Sequence, residues 1–381
     1  RWLCTSTAGT ARREIGVSGR RIIRRGSHSA RGSAANLRSG VPAPGMRSLI
    51  SHAHFPSGPR HMRTTSRGAS SEVTILTVMP GRSWTSREIA SQAITWNRAL
   101  DLVDETRELI AAPGERVLAI GCGTSAFVAQ VYAELRESAG LGETDWAFAG
   151  DPLRRRHYDR VVAITRSGTT TEVLKTVVSL PASSRVVGVA GVLGGPIDGL
   201  VDDMIFLDFA NEQSVVQTRF PTTLITLLRA ALGIDVTQSL FDVVAVLDEP
   251  VPVDVMDFDH YVHLGSGWTL GLAHEAALKV RETAQAWSES YPAMEYRHGP
   301  IAAAGQRTLV SFYGEPPRGL VGAIEALGVR VLADERDPLA QLVRAQRIAL
   351  LLAGHRNLDP EHPRRLTRSV ILDPDPSRST S

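Results

Sequence analysis

Lysine and cysteine are both nearly absent from this sequence. Only Lys175 and Lys279 are lysines among its 42 basic residues, and Cys4 and Cys122 are the two cysteines in 381 residues. Two cysteines cannot build a disulfide scaffold or a multi-cysteine metal site. No apolar run approaches the roughly 18 residues of a membrane-crossing helix. The sequence therefore argues against disulfide-rich, metal-cysteine and membrane-spanning proteins, and we expect no metal and no cofactor.

Acidic residues are scarce in one part of the chain only. Residues 1–70 hold thirteen arginines and one acid, Glu14, which gives a net charge of +12. Residues 71–381 hold 29 basic and 39 acidic residues, which gives a net charge of −10. An acidic body lacks the basic footprint that nucleic-acid binding needs. We therefore expect no nucleic-acid partner, no membrane partner and a cytoplasmic location.

The first 78 residues are rich in arginine, serine and glycine and have little periodic apolar pattern. Such a composition cannot bury enough apolar surface to offset the entropy of ordering the chain. It predicts a disordered, arginine-rich leader over residues 1–78. Three interpretations of it stay open: a segment upstream of a true start near Met79, a transit peptide, and a basic binding arm.

Short apolar runs alternate with helical stretches from residue 117 onward, and the same order occurs twice. Apolar runs separated by helices predict parallel strands that are buried on both faces. The predicted strands are 117–120, 161–164, 186–189, 204–207, 261–264, 308–312, 329–332 and 347–352. A long helix is predicted over 268–289, and two prolines near residue 250 break the chain between the halves. We predict an α/β fold that duplicates one doubly wound unit, over 79–247 and 248–381.

The segment 165–171, Thr-Arg-Ser-Gly-Thr-Thr-Thr, follows a predicted strand and opens a helix. Ligands of open α/β sheets bind beyond the carboxyl ends of the strands, and a helix N-terminus offers unpaired N–H groups to an anion. Gly168 allows a close backbone approach, and the hydroxyls are compact donors. The segment predicts a phosphate cradle without a cation. The alternative is an ordinary capped helix start, and the Gly-x4-Gly-Lys pattern of nucleotide-hydrolysing loops is absent.

A second glycine turn, residues 121–125, follows the first predicted strand of the duplicated unit. Ala126 stands where a dinucleotide-binding motif has its third glycine, and no acidic residue closes the next strand near Ile164. These differences disfavour a nicotinamide-dependent oxidoreductase. The thiol of Cys122 is better explained as a small packed side chain than as a nucleophile.

Glu275, Lys279 and Glu282 share one face of the long predicted helix, because they are spaced i, i+4 and i+7. Small apolar residues fill the rest of that helix, which favours burial, and burial raises the pKa of a glutamate towards the range of proton exchange. A surface ion pair is the alternative. His298 lies on a turn before Gly299-Pro300 and could reach a cleft as an acid–base group, although a loop histidine is more often simply exposed.

Several segments resemble the SIS (sugar isomerase) family. Residues 164–170 are similar to the phosphosugar loop of that family, and 275–282, 289–291 and 295–300 resemble the isomerase half of glucosamine-6-phosphate synthase. The resemblance extends over about 85–375. It implies two tandem SIS domains, each a five-stranded, flavodoxin-like parallel sandwich, in a protein that is usually a homodimer and binds a phosphorylated sugar.

The resemblance also implies roles for individual residues. Glu282 would move a proton between C1 and C2, His298 would help to open the sugar ring and can come from the neighbouring subunit, and Glu275 and Lys279 would support them. The residues implied to hold the sugar phosphate are Thr124, Ser125, Thr165, Ser167 and Thr170. Those implied to contact the sugar are Gly123, Gln217, in a segment 212–218 similar to a sugar-contacting loop, and Arg368.

Two departures from the synthase pattern narrow the expected activity. The roughly 80 leading residues are too few and too arginine-rich for a glutaminase domain. Arg368 stands where the synthase has a Schiff-base lysine in its closing loop, and a guanidinium cannot act as a neutral amine. The resemblance thus implies a stand-alone isomerase or deaminase of amino-sugar phosphates, or an enzyme acting on ketose or ketoamine sugar phosphates. The alternatives are a component of a glutamine-dependent fructose-6-phosphate transaminase and a non-catalytic sugar-phosphate-binding protein.

Overall fold

The computed structural model describes residues 20–24, 83–153 and 156–372, and these form two parallel β-sheets flanked by helices. The first sheet has the order β1-β6-β5-β4-β2-β3 and the second the order β10-β9-β7-β8, with every pair parallel. The strands are β1 Arg21–Ile23, β2 Val117–Gly121, β3 Thr144–Phe148, β4 Arg160–Ile164, β5 Arg185–Ala190, β6 Asp203–Phe206, β7 His260–Gly265, β8 Trp287–Pro292, β9 Thr308–Tyr313 and β10 Arg330–Leu332.

Ten α-helices accompany these strands in the described part of the chain. They are α1 Trp84–Ala90, α2 Gln92–Ala99, α3 Val103–Ile110, α4 Thr124–Ser138, α5 Thr171–Ser179, α6 Arg219–Ala231, α7 Thr237–Asp248, α8 Trp268–Ala284, α9 Leu320–Glu325 and α10 Pro338–His355. Strands β2 to β6 follow the 2-1-3-4-5 order of flavodoxin-like sheets, and β7 to β10 follow the same order one strand shorter. The predicted α/β class and the two flavodoxin-like sheets are confirmed. None of the helices in the described ranges is both long and apolar enough to cross a membrane.

The two sheets share the same turn after their first central strand. A Cβ atom on Gly121 would lie 2.5 Å from the backbone carbon of Ser125, and one on Gly265 would overlap the carbonyl oxygen of Thr269. Gly123 and Gly267 have φ of +52° and +53°, a region that favours glycine. Each helix therefore begins tightly against the end of its strand. The two units share this turn in backbone conformation, as the duplication predicted from the sequence requires.

Helices α4 and α8 pack against each other at Gly271. A Cβ atom there would lie 2.6 Å from Cγ2 of Val131 and 2.9 Å from the carbonyl oxygen of Phe127. Around this contact, Tyr132, Leu272, Ala273 and Ala276 are buried in one hydrophobic core. The close approach brings the beginning of α4 beside the polar face of α8.

The structure differs from three sequence-based assignments: the end of one helix, one predicted strand and one strand that was not predicted. The long helix ends at Ala284 rather than at residue 289, because Gln285 adopts the left-handed conformation with φ of +50°. The residues that follow form the partly buried edge strand β8, Trp287–Pro292. The predicted strand 347–352 lies inside α10, whose N-terminus is capped by the side chain of Asp337. A short apolar run such as 347–352 fits a buried helix as well as a buried strand, so the sequence pattern could not distinguish them. Strand β3 was missed because this edge strand is only partly buried.

A segment of the predicted leader is part of the first sheet. Strand β1 pairs in parallel with β6, Ile23 is buried, and the backbone N–H of Arg21 donates to Oδ1 of Asp203 at 3.1 Å. The prediction of disorder is therefore wrong for these residues, because the free edge of β6 supplies backbone partners and an apolar contact that composition alone cannot reveal. Apart from residues 20–24, residues 1–78 lie outside the described residues.

Candidate functional site

The segment 165–170 joins β4 to α5 as a compact turn of hydroxyl side chains. Gly168 has φ of +70°, and a Cβ atom there would lie 3.1 Å from Cγ2 of Ile197. Oγ1 of Thr165 lies 3.4 Å from Oγ1 of Thr170, and Oγ of Ser167 accepts hydrogen bonds from the backbone N–H and the hydroxyl of Thr169 at 3.2 and 3.0 Å. We call this turn the hydroxyl loop; it has the donors and the helix N-terminus that an anion site needs.

The second glycine turn lies beside the hydroxyl loop, because β2 and β4 are neighbouring parallel strands and both turns follow their carboxyl ends. Thr124 and Ser125 are the first residues of α4, and both are buried. Gly123 precedes them and has a positive φ, so its contribution to the turn is its backbone conformation. The structure therefore places Thr124 and Ser125 at the same edge of the sheet as Thr165, Ser167 and Thr170.

Lys279 is the centre of a buried charge cluster that joins α8 to the start of α4. Its Nζ lies 2.6 Å from Oε2 of Glu282, 3.2 Å from Oε1 of Glu275 and 3.0 Å from Oγ1 of Thr124. The hydroxyl of Thr124 lies 3.3 Å from Oε1 of Glu275. The Lys279 and Glu275 side chains are 1% and 2% exposed, whereas that of Glu282 is 19% exposed. The stripe predicted on the helix is a buried network, not a surface ion pair, and Glu282 is its accessible member.

Burial perturbs the protonation of this network. Burial raises the pKa of Glu275 to about 7, against the opposing attraction of Lys279. Burial also acts to lower the pKa of Lys279, but the carboxylates of Glu275 and Glu282 outweigh it and raise that pKa. Oε2 of Glu275 is buried without a hydrogen-bond partner among the described residues. The cluster therefore combines a permanent cation with a glutamate that can exchange protons near neutral pH.

Arg166 is a component of the site whose function was not predicted. Its side chain is 1% exposed and its guanidinium donates to the carbonyl oxygens of Ser214, Val215 and Arg368 at 2.9, 3.3 and 3.0 Å. The fully buried carboxylate of Glu212 lies 3.7 Å away. The sequence signal was present, since an arginine inside a hydroxyl loop directly after a buried strand is unusual, but its partners are distant in sequence.

The segment 366–372 lies against the hydroxyl loop, and we call it the closing strap. Oγ of Ser369 lies 3.1 Å from Oγ of Ser167 and 2.9 Å from Oγ1 of Thr169. The backbone N–H of Thr171 donates to the carbonyl oxygen of Val370 at 3.2 Å. Ser369 is thus a second residue that sequence reasoning missed, although the strap itself was noticed as a loop near the C-terminus.

Arg368 and Gln217 lie on two segments that meet beside the hydroxyl loop. The guanidinium of Arg368 donates to Oδ1 of Asn211 at 2.9 Å. Gln217 is half-buried, and its Oε1 has no hydrogen-bond partner among the described residues. The 211–218 loop is held by Glu212, whose Oε1 accepts from the backbone N–H and the hydroxyl of Thr218 at 2.6 and 2.8 Å. Contacts of Gln217 and Arg368 with a sugar stay predictions.

His298 is not brought into the cluster. It is exposed on a short 3₁₀ turn, Glu295–His298, and no hydrogen bond or ion pair joins it to Glu282 within the described parts of the chain. Its expected contribution to a neighbouring site stays a prediction. Within the same ranges, no group of three or more His, Cys, Asp or Glu side chains is arranged to hold a metal ion.

The second sheet does not repeat the hydroxyl loop. The segment after β9, which corresponds to the hydroxyl loop after β4, reads Gly314-Glu315-Pro316-Pro317. In the glycine turn after β7, the backbone N–H of Ser266 is already bonded to Oγ1 of Thr269 at 2.9 Å. The second unit instead supplies α8 and its charged face, so the two units contribute different parts of one site.

Comparisons with known proteins find relatives of this chain by sequence and by fold. No protein-family model matches the chain. A glutamine–fructose-6-phosphate aminotransferase (isomerizing) of Sulfurisphaera tokodaii is 26% identical over 313 residues, which cover 72% of this chain and 53% of that protein. The chain thus spans about half the length of the curated relatives it matches.

Solved structures share the fold over their whole length. A glucosamine-6-phosphate deaminase from Thermotoga maritima superposes with a TM-score of 0.64 at 25% identity, covering 76% of this chain and 100% of that one. A tagatose-6-phosphate ketose/aldose isomerase from Escherichia coli superposes with a TM-score of 0.64 at 20% identity, covering 78% and 99%. Together with the two flavodoxin-like sheets, these relationships show that the chain is similar to the SIS-type (sugar isomerase) phosphosugar isomerases and deaminases.

Proposed function

We propose that this protein is a sugar-phosphate isomerase or deaminase that transfers a proton between C1 and C2 of an amino-sugar phosphate or a ketose phosphate. The observation that carries the proposal is the position of Lys279, which bonds Thr124 of a candidate phosphate turn and two glutamates at once. Acid–base groups and an anion site are therefore within one hydrogen-bond network. Two SIS units, 79–247 and 248–381, would supply the two parts.

In this mechanism the phosphate is held by the hydroxyl loop and by the starts of α4 and α5. The phosphate-binding side chains would be Thr124, Ser125, Thr165, Ser167 and Thr170. Gly123 would allow close approach of the backbone, and Gln217 and Arg368 would contact the sugar. Anchoring the phosphate fixes the distance of C1 and C2 from the charged face of α8, which makes the proton transfer effectively intramolecular.

Glu282 would be the base, because it is the most accessible member of the cluster. With the ring open, its carboxylate takes the proton from C2 of an aldose, and the electron pair forms an enediol, or an enolamine for an amino sugar. Return of the proton to C1 gives the ketose, or a ketimine that water hydrolyses with release of ammonia. Lys279 would orient Glu282 and balance its charge, while Glu275, with a pKa of about 7, would exchange protons with the network.

The relatives favour two different candidate activities. The Thermotoga maritima protein is described as a glucosamine-6-phosphate deaminase and matches over its full length, which favours an amino-sugar phosphate as substrate. The curated relatives favour a second candidate, the isomerase component of a glutamine–fructose-6-phosphate transaminase. Arg368 speaks against it, since a guanidinium cannot form a Schiff base with the ketose. The accessible carboxylate of Glu282 in the Glu-Lys-Glu cluster disfavours a non-catalytic sugar-phosphate-binding protein, because a purely structural cluster needs no accessible base.

A substrate panel tests the proposal. The protein is incubated with glucosamine 6-phosphate, galactosamine 6-phosphate and fructose 6-phosphate, with and without ammonia or glutamine, and products are identified by mass spectrometry. Turnover of an amino-sugar phosphate or a ketose phosphate without glutamine supports an isomerase or deaminase. Glutamine consumption only with a partner protein supports the transaminase component, and binding without turnover of any substrate supports a binding protein.

We also propose that the active form is a cytoplasmic homodimer in which His298 reaches the site of the neighbouring subunit. Its exposure and its separation from the cluster within one chain support this arrangement. Mixing inactive Glu282→Gln and His298→Asn proteins under conditions of subunit exchange would restore part of the activity, because one mixed site carries both native residues. No recovery, despite exchange shown by native mass spectrometry, would place His298 outside the site.

A further inference from the structure

Arg166 connects three segments that are far apart in sequence. It belongs to the hydroxyl loop, it donates to the carbonyl oxygens of Ser214 and Val215 in the 211–218 loop, and it donates to the carbonyl oxygen of Arg368 in the closing strap. Its side chain is 1% exposed. A buried guanidinium that donates to three carbonyl oxygens on two other segments links those segments to the hydroxyl loop; we call this link the tie. Such a side chain does not extend into the open cleft.

The charge of Arg166 is balanced inside the protein. The fully buried carboxylate of Glu212 lies 3.7 Å from the guanidinium, and the same carboxylate holds the start of α6 through Thr218. Burial lowers the pKa of Arg166, and Glu212 opposes that effect. Its Nη1 and Nη2 atoms donate to carbonyl oxygens, and its Nε is buried without a hydrogen-bond partner among the described residues. Because the side chain is 1% exposed, we expect Arg166 to act on an anion through the residues it positions.

The consequence for the candidate site lies one residue beyond Arg368. Oγ of Ser369 is within 3.1 Å of the Ser167 hydroxyl and 2.9 Å of the Thr169 hydroxyl. The bond from Arg166 to the carbonyl oxygen of Arg368 holds the strap one residue before this hydroxyl. Lysine could not replace arginine here, since a single ammonium lacks the planar fork that reaches carbonyl groups in two directions.

We propose that Arg166 is a positioning residue that fastens the closing strap, so that Ser369 adds a hydroxyl to the phosphate cradle. This inference rests on the proposed function for the identity of the ligand, a phosphorylated sugar, but not for the tie itself. It assigns Ser369 as a phosphate-contacting residue and Arg166 as the residue that acts through it.

Amide hydrogen exchange on the full-length protein tests the tie. In Arg166→Lys, exchange in the strap and in the 211–218 loop should rise about tenfold, as expected when charge-assisted hydrogen bonds to buried carbonyls are lost. Arg136→Lys is the matched control, because Arg136 is also fully buried and donates to the carbonyl oxygens of Ala112 and Leu141 elsewhere in the fold. Unchanged exchange in the strap of Arg166→Lys, or the same rise in Arg136→Lys, would overturn the inference.

Calorimetry with inorganic phosphate and steady-state kinetics test the proposed contact of Ser369 with the phosphate. Arg166→Lys and Ser369→Ala should each weaken phosphate binding by calorimetry, and raise the KM of the sugar phosphate about tenfold, with a much smaller change in kcat. Ser369→Thr should restore binding, because it restores the hydroxyl. If the wild-type protein neither binds phosphate nor turns over a sugar phosphate, the proposed function fails while the exchange experiment still decides the tie. Native phosphate affinity in Ser369→Ala would instead refute the role of Ser369.

Discussion

Nζ of Lys279 lies 3.0 Å from Oγ1 of Thr124, although one residue is on the long helix of the second unit and the other opens a helix of the first. This contact is the point at which the candidate acid–base groups meet the candidate phosphate turn. It depends on the close packing of α4 and α8 at Gly271, where the absence of a side chain on α8 leaves room for Val131 and the backbone of Phe127. The following predictions test the charges, the packing and the sheet edge that produce it.

Glu282→Gln should lower kcat by about 10² to 10⁴, the usual contribution of a positioned acid–base group, with little change in substrate binding. The amide keeps the size of the side chain but cannot accept the proton. Steady-state kinetics on the substrate found in the panel measure the effect, and Glu134→Gln, an exposed glutamate on α4, is the control. Full turnover by Glu282→Gln would assign the base to another residue.

Lys279→Met should destabilise the protein by about 3 kcal/mol, because it leaves two carboxylates without their buried cation. The sequence offers an unusually clean control, since Lys175 is its other lysine and is exposed on α5. Lys175→Met should change the free energy of unfolding by less than about 0.5 kcal/mol. Equal effects of the two substitutions in urea unfolding would show that the buried cluster contributes nothing to stability.

The raised pKa of Glu275 predicts a specific pH dependence of stability. The folded protein holds the proton up to a pKa of about 7, whereas the ordinary value is 4.5, so the folded state binds more protons between those values. Its stabilising contribution is complete below pH 4.5 and is lost as pH rises through 7. The loss is about 3.5 kcal/mol at about 1.4 kcal/mol per pKa unit.

Unfolding free energies of the wild type and of Glu275→Gln, measured from pH 5 to pH 8, check this prediction. The wild type should lose stability relative to the variant as pH rises, because the amide cannot ionise. A constant difference between the two proteins across that range would mean that Glu275 ionises at its ordinary pKa.

Gly271→Ala should cost about 1–3 kcal/mol, the typical penalty for overpacking a core, and should reduce activity by displacing α4 from α8. The added methyl group would overlap Val131 and the carbonyl oxygen of Phe127. Gly354→Ala on α10 is the control, because no atom lies within 4 Å of its Cβ position, and alanine there should be neutral or stabilising. Thermal unfolding and kinetics of both variants separate the packing effect from helix propensity.

Ile23→Ala should destabilise the first sheet by about 2 kcal/mol, because Ile23 packs in the core from the edge strand. Its neighbour Ile22 is 48% exposed, so Ile22→Ala should have an effect below about 0.5 kcal/mol. The comparison decides whether the Arg21–Ile23 strand is an integral part of the fold in solution. Identical stabilities of the two variants would contradict the pairing with β6.

Much of the fold was predictable from the sequence because local pattern carries it. Uninterrupted apolar runs such as 161–164 mark strands that are buried on both faces, and the repeated order of strand, glycine turn and helix marks the duplication. The pattern failed at residues 347–352, where a short apolar run suits a helix as well as a strand, and at Thr144–Phe148, where an edge strand is only partly buried.

The sequence by itself determined the i, i+4, i+7 spacing of Glu275, Lys279 and Glu282 and the hydroxyl groups that follow β4, because these depend only on residues close along the chain. The tertiary structure alone decided that Thr124 completes the cluster, that Arg166 binds the carbonyl oxygen of Arg368, and that Ser369 meets the hydroxyl loop. Those contacts join residues 155 and 202 positions apart, and they exist because parallel strands bring their carboxyl ends to one edge while burial excludes competing water.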